Sequence, residues 1–277
     1  MKIDRARLRR VPVVLTIAGS DSGGGAGIQA DLKTFTAMGV HGVSVIACLT
    51  AQNPKRVLGI ESCSRGMLRR QLEAVFEELP PAAVKTGMLF SAENMALVAG
   101  FLKRREGPLV VDPVMVSTSG AKLLEPRALR VLMERLLPLA TLVTPNLSEA
   151  EILSGTPIKS LEAMRAAART IHARFGCAVL VKGGHLGQSD DARDVFFDGK
   201  VEEVLSARFV KGVRTHGTGC VYSAAICAAL ARGKKLVEAV HAAKHFVTQA
   251  ILNSYRTGKH CQLGVQSGLK NTVAIRG

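Results

Sequence analysis

Short apolar runs recur along this chain and alternate with longer stretches in which apolar residues return every three or four positions. Val11–Ala18, Val43–Leu49, Ala83–Met88, Leu109–Asp112, Thr141–Thr144 and Ala178–Lys182 are rich in Val, Leu and Ile, the pattern of strands buried on both faces. Between them the spacing predicts helices over about Gly27–Met38, Ser64–Leu79, Ala92–Arg105, Pro126–Leu137, Leu161–Phe175, Thr218–Ala231 and Leu236–Tyr255. Local punctuation agrees. Gly39 stops the first helix and Pro80-Pro81 the second, Ser91 and Ser160 stand as N-caps, and Gly176 closes the helix that Ser160 opens. Asp198-Gly199, between Asp194–Phe197 and Val201–Leu205, is a hairpin signal and predicts an antiparallel edge. Strand-helix alternation of this kind predicts an α/β fold with a mostly parallel central sheet and helices on both faces. In such sheets the ligand site lies beyond the carboxyl ends of the strands, so those ends are where chemistry is sought.

Length and composition narrow the picture. The 277 residues show no linker, repeat or low-complexity tract, and one domain is the simplest organisation. Met1–Arg10 is basic and precedes the apolar Val11–Ala18, but that stretch runs directly into Gly19-Ser20-Asp21-Ser22-Gly23 without a cleavage pattern. It reads as a first strand behind a basic tail rather than a secretory signal. No apolar run approaches the roughly 20 residues of a membrane span, so no membrane role and a cytoplasmic location are expected. The six cysteines form no C-x-x-C pair and suggest neither a disulfide framework nor a zinc site. A net charge of +15 raises the question of nucleic acid, but the charges are dispersed along helices and aromatic residues make up only 4%. A basic surface that attracts small anionic substrates fits better.

The strand ends carry the unusual residues. Gly19-Ser20-Asp21-Ser22-Gly23-Gly24-Gly25-Ala26-Gly27 follows the first strand and fits neither the P-loop nor the dinucleotide spacing. So many glycines at one turn let a ligand approach the backbone closely. Asp31, one helical turn further on, is placed to face the same crevice and accept a hydrogen bond from a hydroxyl or amine, though a solvated carboxylate is the plainer reading. Gln52, after the second strand, offers a donor and an acceptor on one planar amide, suited to the edge of an aminopyrimidine. The strongest local signal is Thr215-His216-Gly217-Thr218-Gly219-Cys220 at the head of a small-residue helix. Successive backbone N–H groups there, with the helix dipole, form a hole for an anion such as a transferring phosphoryl group. Asp112 and the segment Asn146-Leu147-Ser148-Glu149 are candidates to organise Mg²⁺, which takes few carboxylates and keeps several waters; Glu149 suits equally the capping of the helix it begins. Lys182 closes a buried strand and is placed to point at nucleotide phosphates.

Taken together, these segments resemble the hydroxymethylpyrimidine/phosphomethylpyrimidine kinases of thiamine biosynthesis, within the ribokinase superfamily. The resemblance runs from about Val13 to Lys259. It rests on A-G-S-D-S-G-G-G-A-G-I-Q-A-D-L-K-T (Ala18–Thr34), T-A-Q-N (Thr50–Asn53), K-T-G-M (Lys85–Met88), V-D-P-V-M (Val111–Met115) with the trailing S-T-S-G-A-K-L-L, T-P-N-L-S-E-A-E (Thr144–Glu151), V-K-G-G-H (Val181–His185) and T-H-G-T-G-C (Thr215–Cys220). It implies a ribokinase-like three-layer sandwich spanning residues 11–259, a homodimer, and ATP with Mg²⁺ as cofactors. It implies further that Gly19, Asp31, Gln52 and Met88 meet the pyrimidine, that Asp112, Asn146 and Glu149 serve Mg²⁺–ATP, and that Lys182 and Thr215 lie near the nucleotide. Residues 260–277 depart from the family's Gly-rich, His-ending tail and are expected to be poorly ordered.

Most sugar kinases of the superfamily carry an aspartate base where this chain has Cys220. The helix N-terminus is expected to lower the thiol pKa, often to about 7 or below, so that a thiolate can serve. A carboxylate there would also repel an acceptor that is already a phosphate, by about 4 kcal/mol per charge pair at ~4 Å and an effective dielectric of 20. Cysteine thus admits both an alcohol and a phosphate. Pyridoxal kinase is the nearest alternative, because pyridoxine also presents a hydroxymethyl group on a six-membered nitrogen ring.

Overall fold

The computed structural model describes residues 10–115, 124, 126–184, 186, 190–213 and 216–265. Its centre is a nine-stranded sheet: β1 (Val13–Asp21), β2 (His41–Asn53), β3 (Arg56–Ser62), β4 (Ala83–Thr86), β5 (Leu109–Val111), β6 (Leu142–Val143), β7 (Ala178–Lys182), β8 (Asp191–Phe197) and β9 (Glu202–Arg208). The spatial order is β3-β2-β1-β4-β5-β6-β7-β8-β9. The six strands from β2 through β7 in that order pair in parallel, while β3 and the β8–β9 hairpin add antiparallel edges. The Asp198-Gly199 turn is thus a hairpin at an edge, as its chemistry predicts.

Alternate residues of each strand enter different layers, because strand side chains point to opposite faces. Leu15, Ile17, Val84, Val111, Val143 and Val179 pack beneath α2 (Arg65–Glu78), α3 (Ala92–Leu102) and α6 (Leu161–Phe175). Val14, Ala83, Val110, Leu142 and Leu180 face α1 (Gly27–Ala37), α7 (Thr218–Ala231) and α8 (Leu236–Leu252). Each fully buried Leu or Ile contributes about 1.5–3 kcal/mol relative to exposure, and both faces are covered, which is what a parallel sheet requires. Every residue from Val221 to Ala229 of α7 is buried, so this helix is apolar all round and forms the middle of its layer. That places its N-terminus at the centre of the carboxyl edge of the sheet.

Helix ends follow the sequence closely. Ser64, Ser91 and Ser160 accept N–H bonds as N-caps, and Gly155 and Gly176 close α5 (Leu147–Ser154) and α6 in the left-handed conformation. The helix expected over Pro126–Leu137 is α4 (Pro126–Val131) followed by a π turn, Leu132–Leu136, and a 3₁₀ turn, Leu137–Leu139. Pro138 lacks the N–H that an α-helix would use and Leu137 is held tightly in the core, so the register tightens there.

Two elements were not foreseen. β3 is almost wholly exposed and carries no apolar period; it exists because it pairs with β2, through a turn in which Asn53 Oδ1 accepts from the N–H groups of Lys55 and Arg56. The second is a hairpin of β10 (Tyr255–Thr257) and β11 (His260–Gln262). Poor order from His260 onward therefore does not hold for 260–265: Leu263 and Val265 are buried in the α1–α7–α8 layer, and the Gly264 N–H binds Ala250 O. Burial of those two apolar side chains outweighs the unfamiliar local sequence.

Candidate active site

The carboxyl ends of β1, β2, β4, β5, β6 and β7 open into one cleft of about 500 Å³, a size suited to small-molecule ligands. The loop after β1 is held from within. Asp21 Oδ1 accepts the Gly23 N–H at 2.7 Å, and Oδ2 accepts those of Gly25 at 3.0 Å and Ala26 at 2.8 Å. Burial alone would raise the Asp21 pKa, but His216, whose Nε2 lies 3.4 Å from Oδ2, and these amides hold it down at about 2. Thr50 Oγ1 donates to Ser20 O, and Ser22 Oγ donates to Gln52 O while accepting the Gln52 N–H. The end of β2 is thereby tied to the glycine loop, and Gly19, Ser20, Gln52 and Met88 line one end of the cleft.

The start of α7, packed against the glycine loop, also lines the cleft. Its N-cap, Gly217, has φ of 87° and no side chain caps the first turn. A Cβ at Gly217 would collide with Gly25 O, and one at Gly27 (φ 56°) with Gly19 O. Only glycine lets the two turns meet. Gly217, Thr218, Gly219 and Cys220 all line the cleft, with the positive end of the helix dipole directed at it.

Beside that turn stands a chain of buried charges. Lys182 Nζ donates to Asp112 Oδ1 at 3.0 Å, and Asp112 also accepts from Ser223 and Thr144. Burial would raise the Asp112 pKa, yet Lys182 and Lys85 keep it below the usual carboxylate range. Burial would lower that of Lys182, but Asp112 and Glu149 raise it. Glu149, pushed up to about 7 by burial, forms a capping box with Asn146: its Oε2 accepts the Asn146 N–H and the Asn146 Oδ1 accepts the Glu149 N–H, each at 2.9 Å. The capping role is therefore realised, and Asp112, Asn146, Glu149 and Lys182 still line the cleft.

Two expectations are corrected. Asp31 does not face the crevice. It is fully buried, accepts from Thr16 Oγ1 at 2.6 Å, and takes both oxygens to Lys85 Nζ at 2.8 and 2.7 Å. A carboxylate out of water needs a full set of partners, and β1 and β4, beneath the inner face of α1, supply them. Lys85, inside the K-T-G-M motif, lines the cleft instead. The second correction concerns Cys220, which lines the cleft as expected but is no low-pKa thiol. Burial pushes it up to about 11; Lys85 opposes this, while Asp31 and Asp112 add to it. Desolvation outweighs the helix terminus.

Thr215 and His185 lie outside the described residues, as does all of S-T-S-G-A-K-L-L except Leu124. The sequence reading missed Asp194, Tyr222 and Lys244, which line the far half of the cleft among Ala207, Val210 and Val247. No local motif marks them. Among the described residues no cluster of three or more His, Cys, Asp or Glu could hold a metal by itself, and no helix is long and apolar enough to cross a membrane.

Comparison with known proteins adds four findings. Residues 21–264 match the family described as phosphomethylpyrimidine kinase. The chain is 51% identical over 240 residues to a hydroxymethylpyrimidine/phosphomethylpyrimidine kinase of Rhizobium meliloti, covering 86% of this chain and 90% of that one. Among solved structures it is similar to an ADP complex of Bacillus subtilis pyridoxal kinase (TM-score 0.85, 39% identity, 92% of this chain and 97% of that one). It is also similar to a phosphomethylpyrimidine kinase from Clostridium difficile (TM-score 0.77, 43% identity, 87% and 99%).

Proposed function

Because the chain belongs to the phosphomethylpyrimidine kinase family, we propose that it transfers the γ-phosphoryl group of ATP to 4-amino-5-hydroxymethyl-2-methylpyrimidine and then to the resulting monophosphate, in thiamine diphosphate biosynthesis. The observation that carries this reading is the meeting, in one cleft, of the α7 N-terminus and Lys182 with Gly19, Gln52 and Met88. The first group suits a phosphoryl donor and the second an amino-substituted ring.

In this reading the triphosphate lies along Lys182 and Asn146, and the backbone N–H groups of Gly217, Thr218, Gly219 and Cys220 receive the charge that spreads over the transferring group. The apolar wall of Ala207, Val210 and Val247 takes the nucleotide base. The hydroxymethyl oxygen attacks the γ-phosphorus as the bond to the β–γ bridging oxygen breaks. In a loose transition state the hydroxyl proton leaves late, to an oxygen of the transferred phosphoryl group or to water, so a strong base is not needed. Cys220 is then a neutral thiol beside the acceptor, and its neutrality is what admits a phosphate acceptor in the second step. Asp31 supports this end indirectly, by holding Lys85.

Asp112 and Glu149 are hard oxygen donors on one wall of the cleft, a set that fits Mg²⁺ held mainly by phosphate oxygens and water. Bound there, Mg²⁺ would neutralise phosphate charge. A cytoplasmic homodimer of one 11–259 kinase domain completes the proposal; the exposed Leu49 and Leu58 on the β2–β3 ribbon support self-association, and light scattering of the purified chain tests it.

A second reading is pyridoxal kinase activity, favoured by the similarity to the Bacillus subtilis enzyme. Incubation with Mg²⁺–ATP and either the pyrimidine alcohol or pyridoxal, followed by mass analysis, separates the two. Mono- and diphosphorylated pyrimidine are expected; a product from pyridoxal alone would reverse the assignment.

A further inference from the structure

Lys182 has a rival for its ammonium group. In the β7–β8 ladder Lys182 stands directly opposite Asp194, and such cross-strand partners project on the same face. Asp194 is buried and lines the same cleft. Left alone, it would draw Lys182 away from Asp112 and set a second negative charge beside the phosphates. It is not left alone. Lys244 Nζ, from α8, reaches Asp194 Oδ2 at 2.7 Å and donates also to Ala192 O at 3.0 Å. Tyr222 Oη donates to Oδ2 at 3.2 Å, and the Gly183 N–H to Oδ1 at 3.1 Å. That Gly183 N–H, at the residue that follows Lys182, is shared between Asp194 Oδ1 and Arg193 O, each at 3.1 Å.

We propose that Lys244 is a positioning residue for nucleotide binding: by neutralising Asp194 it leaves Lys182 paired with Asp112 and aimed at the phosphates, and through Asp194 it holds the Lys182–Gly184 turn. This rests on the reading that the Lys182 end of the cleft takes nucleotide phosphates. Two features favour it over a purely structural ion pair. Both members of the pair line the cleft, and its carboxylate stands opposite Lys182 on the neighbouring strand.

The test uses ADP binding by calorimetry, which needs no turnover, alongside KM for each substrate. Lys244→Met should weaken ADP binding at least tenfold and raise KM for ATP similarly, while KM for the pyrimidine alcohol stays within twofold. Asp194→Asn combined with Lys244→Met removes both charges and leaves an amide whose oxygen still accepts the Gly183 N–H while its NH2 donates to Tyr222 Oη; ADP affinity should return to within threefold of wild type. A single variant with unchanged ADP affinity overturns the proposal. So does a double variant as weak as the single one, because Lys244 would then touch the nucleotide itself. Should Lys244→Met not fold, near-wild-type ADP binding by the double variant alone supports the proposal and its loss refutes it. Wild-type protein that binds ADP and phosphorylates the alcohol, with variants that fail these expectations, defeats this inference while leaving the kinase reading intact.

Discussion

Gly219→Ala separates stability from catalysis. Gly219 lies in the first turn of α7 with ordinary right-handed backbone, so alanine meets no conformational barrier there. Replacing a helical glycine by alanine stabilises by about 0.5–1 kcal/mol, mostly by restricting the unfolded chain. At about 2.1 cal/mol/K per residue, the unfolding entropy of 277 residues is about 0.6 kcal/mol/K, so Tm should rise by about 1–2 °C. The new Cβ would stand 3.3 Å from Lys182 Nζ and 3.7 Å from Asp112 Oδ2, in the space that the γ-phosphoryl oxygens must enter. Displacing them from the helix amides forfeits support worth about 3–4 kcal/mol, or 10²–10³-fold in rate. Calorimetric melting and steady-state kinetics on one preparation give both readouts. A variant active within threefold of wild type would show that the phosphoryl group lies elsewhere, and a fall in Tm would show structural damage instead.

Asp21→Ala removes the acceptor of three loop amides and should destabilise by about 2 kcal/mol or more in urea titrations. Because the folded pKa of Asp21 is depressed to about 2, its contribution is complete above the ordinary carboxylate value of about 4 and fades as pH falls towards about 2, so the deficit of the variant should shrink over that window. The Cys220 thiol, pushed up to about 11, should alkylate slowly at pH 7 and faster with each unit of rising pH; a rate already flat near pH 7, read by mass analysis of its peptide, would restore the thiolate. Cys220→Asp should retain alcohol phosphorylation and lose phosphorylation of the monophosphate, and equal damage to both steps would refute the electrostatic argument. Lys85→Met should cost about 3–5 kcal/mol by leaving Asp31 buried without its cation, and Lys85→Met with Asp31→Leu should recover most of it; additive losses in chemical denaturation would contradict this.

The order of strands and helices was legible because periodicity and caps are local. Ser64, Ser91, Ser160 and Gly176 act within one helical turn of where they stand, and α7 and β7 begin and end where the pattern of small and apolar residues puts them. The glycine turns at Gly27 and Gly217 were legible too, since only glycine is used so freely where two backbones touch. The sequence by itself therefore determined the layered fold and which strand ends would converge. What it did not determine is which way individual polar side chains turn once they arrive. Asp31 meets Lys85 from 54 positions away and Asp194 meets Lys244 from 50, and no local pattern records either pairing. The thiol of Cys220 illustrates the same division: its place at a helix N-terminus is written in the chain, but its raised pKa comes from burial among residues of other elements. Buried charge is settled by desolvation and by the partners at hand, and both exist only after the layers have packed.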